Sequence, residues 1–176
     1  MREIETKIVD FDEEDVERSL NKNAEFVSEN LQRRWVFDLR GEGRHDFDKF
    51  IRVRTNGDKT TIAYKFREGK GVDNTEELEV NVDNFDTTAE IFTRLIDKRY
   101  YQENKRKTYR YGKVEITIDY WPKIPPVIEI EGNSEGEIEQ AIAELKIKGR
   151  NLGNMSWEKV YASYGLDIHS FKILKF

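Results

Sequence analysis

Apolar and polar residues alternate with a period of two along most of this chain, and this pattern predicts a protein built mainly of β-strands. The predicted strands cover about residues 2–9, 25–39, 49–56, 59–66, 76–82, 100–111, 113–121 and 126–131. Helical periodicity predicts helices over about residues 12–23, 86–98, 134–148 and 156–164. Residues 55–58 (TNGD) separate two of the strands and predict a hairpin turn. The order of elements is that of an α+β protein.

One face of most predicted strands is apolar and the other is charged, because successive side chains of a strand point to opposite faces. The charged faces collect Glu3, Glu5, Lys7, Arg52, Arg54, Lys65, Glu77, Glu79, Glu115, Asp119, Glu129 and Glu131. One interpretation is an ordinary antiparallel sheet whose polar face meets water. The other is a closed barrel, which removes open edges and turns the charged faces inward. Acidic pairs on some strands and basic residues on others favour the barrel. Its interior then needs a charged ligand, because unpaired buried charges are costly.

Composition narrows the class of protein further. The 176-residue chain has a formal net charge of −5, contains no cysteine and has two histidines, His45 and His169. These counts exclude a disulfide scaffold, a cysteine nucleophile and a thiolate metal site. No apolar run reaches the roughly 20 residues of a membrane span, and residues 1–10 (MREIETKIVD) are not a signal peptide. We therefore expect a single cytoplasmic domain over residues 1–176, with no membrane and no nucleic-acid partner.

Carboxylates and cations in separate clusters predict a polyphosphate ligand with its divalent metal ions. Oxygen ligands alone favour Mg²⁺ or Mn²⁺ over zinc, whereas arginine and lysine bind phosphate oxygens. Carboxylates two residues apart lie about 6.5–7 Å apart along a strand. Glutamates of facing strands could therefore converge on one or two ions, as in metal-assisted phosphoryl chemistry.

Several short motifs follow one another along the chain. They are residues 3–7 (EIETK), 50–54 (FIRVR), 64–65 (YK), 77–79 (ELE), 105–106 (KR), Asp119 and 129–131 (EIE). In this order, and with the spacing from Asp119 to Glu129, they resemble the motifs of the CYTH, or triphosphate tunnel metalloenzyme, superfamily. The resemblance covers nearly the whole chain. It departs at Thr75, where many relatives have arginine, and at residues 121–126 (WPKIPP), where many have a glycine-containing turn.

The resemblance implies a closed eight-stranded antiparallel β-barrel, which forms a tunnel with a charged interior and helices packed on the outside. It implies Mg²⁺ or Mn²⁺ as cofactor, held by Glu3, Glu5, Asp119, Glu129 and Glu131. The implied phosphate-binding residues are Lys7, Arg52, Arg54, Lys65 and either Lys105 or Arg106. Glu77 and Glu79 would orient these cations or assist a second ion. Catalysis would depend on Glu5, Lys7, Asp119, Glu129 and Glu131.

The implied tunnel permits more than one reaction. Members of the superfamily include thiamine triphosphatases, inorganic tripolyphosphatases and class IV adenylyl cyclases. We expect hydrolysis of the terminal phosphate of a small-molecule triphosphate, because no motif indicates an adenine or thiazolium pocket. The alternatives are conversion of ATP to cyclic AMP and pyrophosphate, and a polyphosphate-binding module without turnover. Whether the protein is a homodimer is left open.

Overall fold

The computed structural model describes residues 4–40, 47–68 and 75–176, which form ten strands and four α-helices. The strands are β1 (Ile4–Val9), β2 (Glu25–Asp38), β3 (Phe47–Thr55), β4 (Thr60–Glu68), β5 (Thr75–Val82), β6 (Arg99–Tyr111), β7 (Val114–Tyr120), β8 (Val127–Gly132), β9 (Arg150–Gly153) and β10 (Ile173–Leu174). The helices are α1 (Glu13–Asn23), α2 (Phe85–Leu95), α3 (Glu135–Glu144) and α4 (Trp157–Ser163). The four predicted helices and eight predicted strands are present, and β9 and β10 are additional.

The backbone forms two compact units. The first unit contains Met1–Asn30 and Asn104–Ile168, and the second contains Leu31–Glu103 and His169–Phe176. Strands β2 and β6 each contribute residues to both units.

In the first unit, β7, β8, β1 and β9 are hydrogen-bonded neighbours in that order, with the second half of β6 beside β7. Asp12 is the N-cap of helix α1, and its side chain accepts a hydrogen bond from the backbone N–H of Asp15 at 2.9 Å. Helices α1 and α3 cover the apolar face of these strands. The buried side chains there form one core: Ile8, Val16, Leu20, Tyr109, Val114, Ile116, Ile118, Ile128, Ile130, Ile138, Ala141, Leu145 and Ile147.

In the second unit, β2, β3, β4 and β5 form an antiparallel series, and β10 pairs in parallel with the first part of β6. The predicted hairpin joins β3 to β4, where Gly57 has a positive φ of 100° that a glycine adopts without strain. Helix α2 packs on β3. A core cluster of the second unit consists of the buried side chains Phe37, Val53 and Phe85, with Trp35, Ile51, Ile62, Phe92, Ile96 and Tyr101 packed around them.

The α+β class and the antiparallel sheet are as predicted, but a closed eight-stranded barrel is not what the described residues form. Their ten strands follow the order β5-β4-β3-β2-β6-β7-β8-β1-β9, with β10 beside β6. Strands β5 and β9 are the two ends of this order, so the sheet is open there. The prediction failed because alternation identifies strands but not which of them pair. Among the described helices, none is both long and apolar enough to span a membrane.

Candidate functional site

Strand register brings most of the predicted residues of the first unit to one face of its sheet. Two rows run across β1, β8 and β7: Glu5, Glu131 and Glu115 form one, and Lys7, Glu129 and Thr117 form the next. On the opposite face of the same strands lie the isoleucines of the core. The predicted separation into a charged face and an apolar face is therefore present in this unit. Glu3 lies outside the described residues.

Lys7 is a buried cation between two carboxylates. Its side chain is only 3% exposed, and its Nζ lies 2.8 Å from Oε1 of Glu5 and 3.6 Å from Oε2 of Glu129. The Nζ also lies 5.8 Å from the centre of the Trp157 ring, a cation–π contact. A buried ammonium group needs such partners, because its desolvation is otherwise uncompensated.

Glu5 and Glu129 are close enough to repel each other. Burial raises the pKa of Glu5 and the negative charge of Glu129 raises it further, while Lys7 opposes both effects. A divalent cation bound by these oxygens would remove the repulsion, and oxygen-only donors suit Mg²⁺ or Mn²⁺. No three His, Cys, Asp or Glu side chains of residues 4–40, 47–68 and 75–176 form a ready metal-binding group. Mg²⁺ commonly uses only one or two carboxylates together with substrate phosphates, so this pair fits such an ion.

Asp119 is fully buried, and donors occupy both of its carboxylate oxygens. Arg106 donates from Nε to Oδ1 at 2.8 Å and from Nη2 to Oδ2 at 2.7 Å. Asn104 donates to Oδ1 at 2.6 Å, and Thr117 donates to Oδ2 at 3.2 Å. Burial lowers the pKa of Arg106, but the negative charges of Asp119 and Glu129 outweigh burial and raise it. The sequence predicts that Asp119 binds a metal ion; in the structure each of its two oxygens accepts a hydrogen bond from the Arg106 guanidinium.

Arg106, and not Lys105, lies on the carboxylate face. Arg106 is opposite Asp119 in the β6–β7 register, whereas Lys105 is opposite Tyr120 on the other face. Lys105 is exposed, and Nη2 of Arg106 lies 3.8 Å from Oε1 of Glu129. Of the two cations that the sequence left open, strand register brings Arg106 next to Asp119 and Glu129.

The predicted residues of the second unit also share one face. Three rows cross β2, β3, β4 and β5 there: Asp38, Phe50, Lys65 and Glu77; Val36, Arg52, Ala63 and Glu79; Arg34, Arg54, Thr61 and Asn81. We call them the Lys65 row, the Arg52 row and the Arg34 row. The alternation of the sequence correctly placed Arg52, Arg54, Lys65, Glu77 and Glu79 together.

Glu77 and Glu79 hold the three cations of the motifs. Nζ of Lys65 lies 2.8 Å from Oε2 of Glu77, and Nη2 of Arg52 lies 3.6 Å from Oε1 of Glu77. Oε2 of Glu79 lies 3.5 Å from Nη2 of Arg52 and 3.9 Å from Nη2 of Arg54. Between Arg52 and Glu79, β4 carries Ala63, and this small side chain leaves room for the contact.

The cations of this face are close enough to repel one another. Burial and the charge of Arg54 lower the pKa of Arg52 to about 10, although Glu77 and Glu79 oppose them. Burial and the charge of Arg52 likewise lower the pKa of Lys65. An anion placed among these groups would therefore be stabilised, because it offsets both the burial and the repulsion.

On this face, Nε of Arg52 and the hydroxyl of Thr61 are buried donors that make no hydrogen bond within the described part of the chain. A buried donor without an acceptor costs about 1–3 kcal/mol. Such atoms are candidates for contacts to the oxygens of a bound anion.

Sequence reasoning did not identify Arg34, Thr61 and Asn104 as residues of these charged faces, whereas alternation did place Thr117 on the same face as Glu115 and Asp119. Thr61 precedes Lys65 by four residues in β4, so alternation alone would have placed it on the same face. Arg34 joins this face only through the β2–β3 register, which sets it opposite Arg54. Asn104 precedes Arg106 by two residues in β6, so alternation alone would have placed it on the same face.

Comparison with known proteins assigns the chain to a family. The CYTH domain family model matches residues 1–162. The PH1012 protein of Pyrococcus horikoshii OT3 has a similar structure, with 25% sequence identity, 83% of this chain and 91% of that chain covered, and a TM-score of 0.64. No curated protein is similar enough to match.

Two further solved structures share the fold at lower identity. A putative adenylate cyclase from Vibrio parahaemolyticus is 13% identical, with 92% of this chain and 98% of that chain covered and a TM-score of 0.64. A putative adenylyl cyclase from Hippeastrum, described as having a dominant triphosphatase activity, is 16% identical, with 96% and 98% covered and a TM-score of 0.58. With a family match over most of its length and the motif residues on common faces, this chain belongs to the CYTH domain family.

Proposed function

We propose that this protein is a divalent-metal-dependent enzyme that acts on a triphosphate and hydrolyses its terminal phosphate. Membership of the CYTH family supports action on triphosphates. The observation that carries the proposal is the pair of mutually repelling carboxylates, Glu5 and Glu129, on either side of the buried ammonium group of Lys7. Repulsion between Glu5 and Glu129 is unfavourable in a sheet face with no ligand, whereas a bound cation with its polyanion would offset it.

Glu5, Glu129 and Glu131 would hold Mg²⁺ or Mn²⁺. A bound ion would neutralise negative charge on the phosphate oxygens and activate the attacking water. Lys7, already beside Glu5 and Glu129, keeps its ammonium group next to the same oxygens and can contact a phosphate that the ion binds. We propose that Asp119 positions Arg106 and is not a metal ligand. A metal ion would have to displace hydrogen bonds that Asp119 accepts from Arg106, Asn104 and Thr117.

Arg52, Arg54 and Lys65 would bind phosphate oxygens. Guanidinium groups donate two parallel hydrogen bonds to a phosphate, and their charge stabilises the negative charge that develops on the leaving oxygens during phosphoryl transfer. Glu77 and Glu79 limit the rotamers of these cations before the substrate arrives. Side chains that are already ordered lose less conformational entropy when the ligand binds.

The test is to incubate the protein with inorganic tripolyphosphate, ATP or thiamine triphosphate, each with Mg²⁺ or Mn²⁺, and to resolve the products. Release of orthophosphate supports the proposal. Cyclic AMP with pyrophosphate would instead identify a cyclase, and binding without product would identify a polyphosphate-binding module. Glu129→Gln should abolish turnover, whereas Glu139→Gln, an exposed change of the same kind on α3, should not.

A further inference from the structure

The Arg34 row differs in composition from the two rows beside it on the same face. The Lys65 row ends at β5 with Glu77 and the Arg52 row ends there with Glu79. The Arg34 row instead carries two guanidinium side chains on neighbouring strands, followed by a hydroxyl on β4 and an amide on β5. Every polar side chain of this row can donate a hydrogen bond, and none is a carboxylate.

Two side chains of the row are buried although they are polar. Arg34 is 9% exposed and Thr61 is 4% exposed. Arg34 and Arg54 are directly opposite each other on neighbouring strands, and like charges in that position destabilise a sheet. The carboxylate that approaches Arg54 belongs to the neighbouring row: Oε2 of Glu79 lies 3.9 Å from its Nη2, beyond hydrogen-bonding distance.

The Thr61 hydroxyl is the second, independent observation. It is buried and makes no hydrogen bond within the described residues, although a threonine hydroxyl can rotate to reach any acceptor nearby. Thr61 lies directly opposite Arg54, so its hydroxyl and that guanidinium face the same side of the sheet. A bound oxyanion would accept from both.

We propose that Arg34, Arg54 and Thr61 form an additional oxyanion subsite that binds one phosphoryl group of the triphosphate. The inference rests on the proposed function and extends its set of binding residues by Arg34 and Thr61. Two guanidinium forks and one hydroxyl are donors that match the oxygens of a phosphoryl group. The row is two residues along the strands from the Arg52 row, about 6.5–7 Å, so it contacts a different part of the ligand from the Lys65 and Arg52 rows.

Thr61→Val and Arg34→Gln test the subsite. We would titrate each variant with inorganic tripolyphosphate by calorimetry, first in a metal chelator and then with Mg²⁺. Loss of one hydrogen bond to a charged group predicts that Thr61→Val binds about tenfold more weakly, and Arg34→Gln at least as weakly. Valine keeps the shape of threonine and removes the unbonded hydroxyl, so the thermal midpoint of unliganded Thr61→Val should stay the same or rise. A merely structural threonine would show a lower midpoint and unchanged affinity.

The adjacent residues provide matched controls. Arg33 and Thr60 lie on the opposite face, and the Arg33 guanidinium is 5.0 Å from the centre of the Phe85 ring. Arg33→Gln and Thr60→Val repeat the same chemical changes there, and we expect wild-type affinity for tripolyphosphate from both.

The outcomes separate this inference from the proposed function. Wild-type affinity in both Thr61→Val and Arg34→Gln would overturn the subsite, while turnover by the wild-type protein would leave the proposed function intact. A wild-type protein that binds tripolyphosphate through Thr61 but hydrolyses no triphosphate would overturn the hydrolase and keep the subsite. A wild-type protein that binds none of tripolyphosphate, ATP and thiamine triphosphate would overturn both.

Discussion

Arg106 and Asp119 face each other on β6 and β7 and form a two-point ion pair, with Nε–Oδ1 and Nη2–Oδ2 distances of 2.8 and 2.7 Å. The carboxylate is wholly inaccessible to solvent, and the guanidinium reaches on toward Glu129 at 3.8 Å. The pair therefore anchors a cation next to a proposed metal ligand. These two hydrogen bonds fix the direction of the guanidinium, because two of its nitrogens donate to the two oxygens of one carboxylate.

Replacing Arg106 should cost both stability and activity. Arg106→Gln leaves Asp119 as a buried charge with only neutral donors, and breaking a buried pair in this way typically costs about 3–5 kcal/mol. We expect the free energy of unfolding to fall by about 3 kcal/mol, at the lower end because Asn104 and Thr117 remain. Urea unfolding followed by circular dichroism measures this change.

Lys105→Gln is the control for that variant. It removes the same charge from the neighbouring residue, but Lys105 is exposed and points to the other face. Its stability should lie within about 0.5 kcal/mol of wild type, with normal turnover. A larger effect from Lys105→Gln than from Arg106→Gln would mean that the β6 register is wrong.

Glu129 and Arg52 should separate turnover from binding. Glu129→Gln removes a proposed metal ligand but leaves the cations of the second unit in place, so turnover should be lost while affinity for tripolyphosphate falls only slightly. Arg52→Ala removes a guanidinium that would contact phosphate directly, and affinity should fall about tenfold or more, as for other charged hydrogen bonds. Phosphate release and calorimetric titration of both variants give the comparison. Normal turnover by Glu129→Gln would refute the metal assignment.

Alternation in the sequence was sufficient to group the charged residues on each strand. Arg52 with Arg54 and Glu129 with Glu131 each share a face as expected, because the residue between them, Val53 or Ile130, is apolar and buried. Glu5 and Lys7 likewise share a face, with the buried Thr6 between them. In residues 104–107 (NKRK) every position is polar, so alternation does not show which of these side chains lie on the charged face of the sheet. Only the pairing of β6 with β7 places Arg106 on the carboxylate face.

Other features were beyond sequence reasoning for different physical reasons. Strands β9 and β10 have four and two residues, too few to show a period. Helix α3 stops at Glu144 because Lys146 takes a left-handed conformation, with φ of 55°, although Ile147 continues the helical spacing of apolar residues. Arg33 and Arg34 are consecutive in β2, so their side chains lie on opposite faces of the sheet. The β2–β3 register decides that Arg34 is the one opposite Arg54.

Asp38 should make the stability of the protein depend on pH. Burial opposes its ionisation, but hydrogen bonds from Arg40 and Lys98 outweigh burial and hold the pKa of Asp38 well below its usual value. Nη2 of Arg40 and Nζ of Lys98 lie 2.8 and 2.9 Å from its Oδ2. A lowered carboxyl pKa contributes stability that is complete above the unfolded-state pKa, near 3.8, and is lost as the pH falls toward the folded-state value.

Asp38→Asn should therefore be less stable than wild type by about 2 kcal/mol near neutral pH. The difference should shrink steadily once the pH falls below about 4, since the wild-type carboxylate then becomes protonated. Urea unfolding of both proteins across this range measures it, with the exposed hairpin residue Asp58 changed to Asn as the control. A difference that stays constant with pH would show that Asp38 stabilises the fold through shape and not through charge.

Gly149 should be intolerant of a methyl group, because the chain passes β1 there at close range. A Cβ at this position would lie 2.6 Å from Cγ2 of Ile8 and 2.7 Å from the carbonyl oxygen of Val9. Gly149→Ala should lower the free energy of unfolding by about 1–3 kcal/mol, the usual cost of overpacking. Gly136→Ala makes the same change in α3, where no neighbouring atom lies within 4 Å, and alanine favours a helix over glycine by about 0.5–1 kcal/mol. Opposite signs for the two variants in thermal unfolding are the expected result. Equal, small effects would mean that the segment before β9 does not press on β1, the strand that carries Glu5 and Lys7.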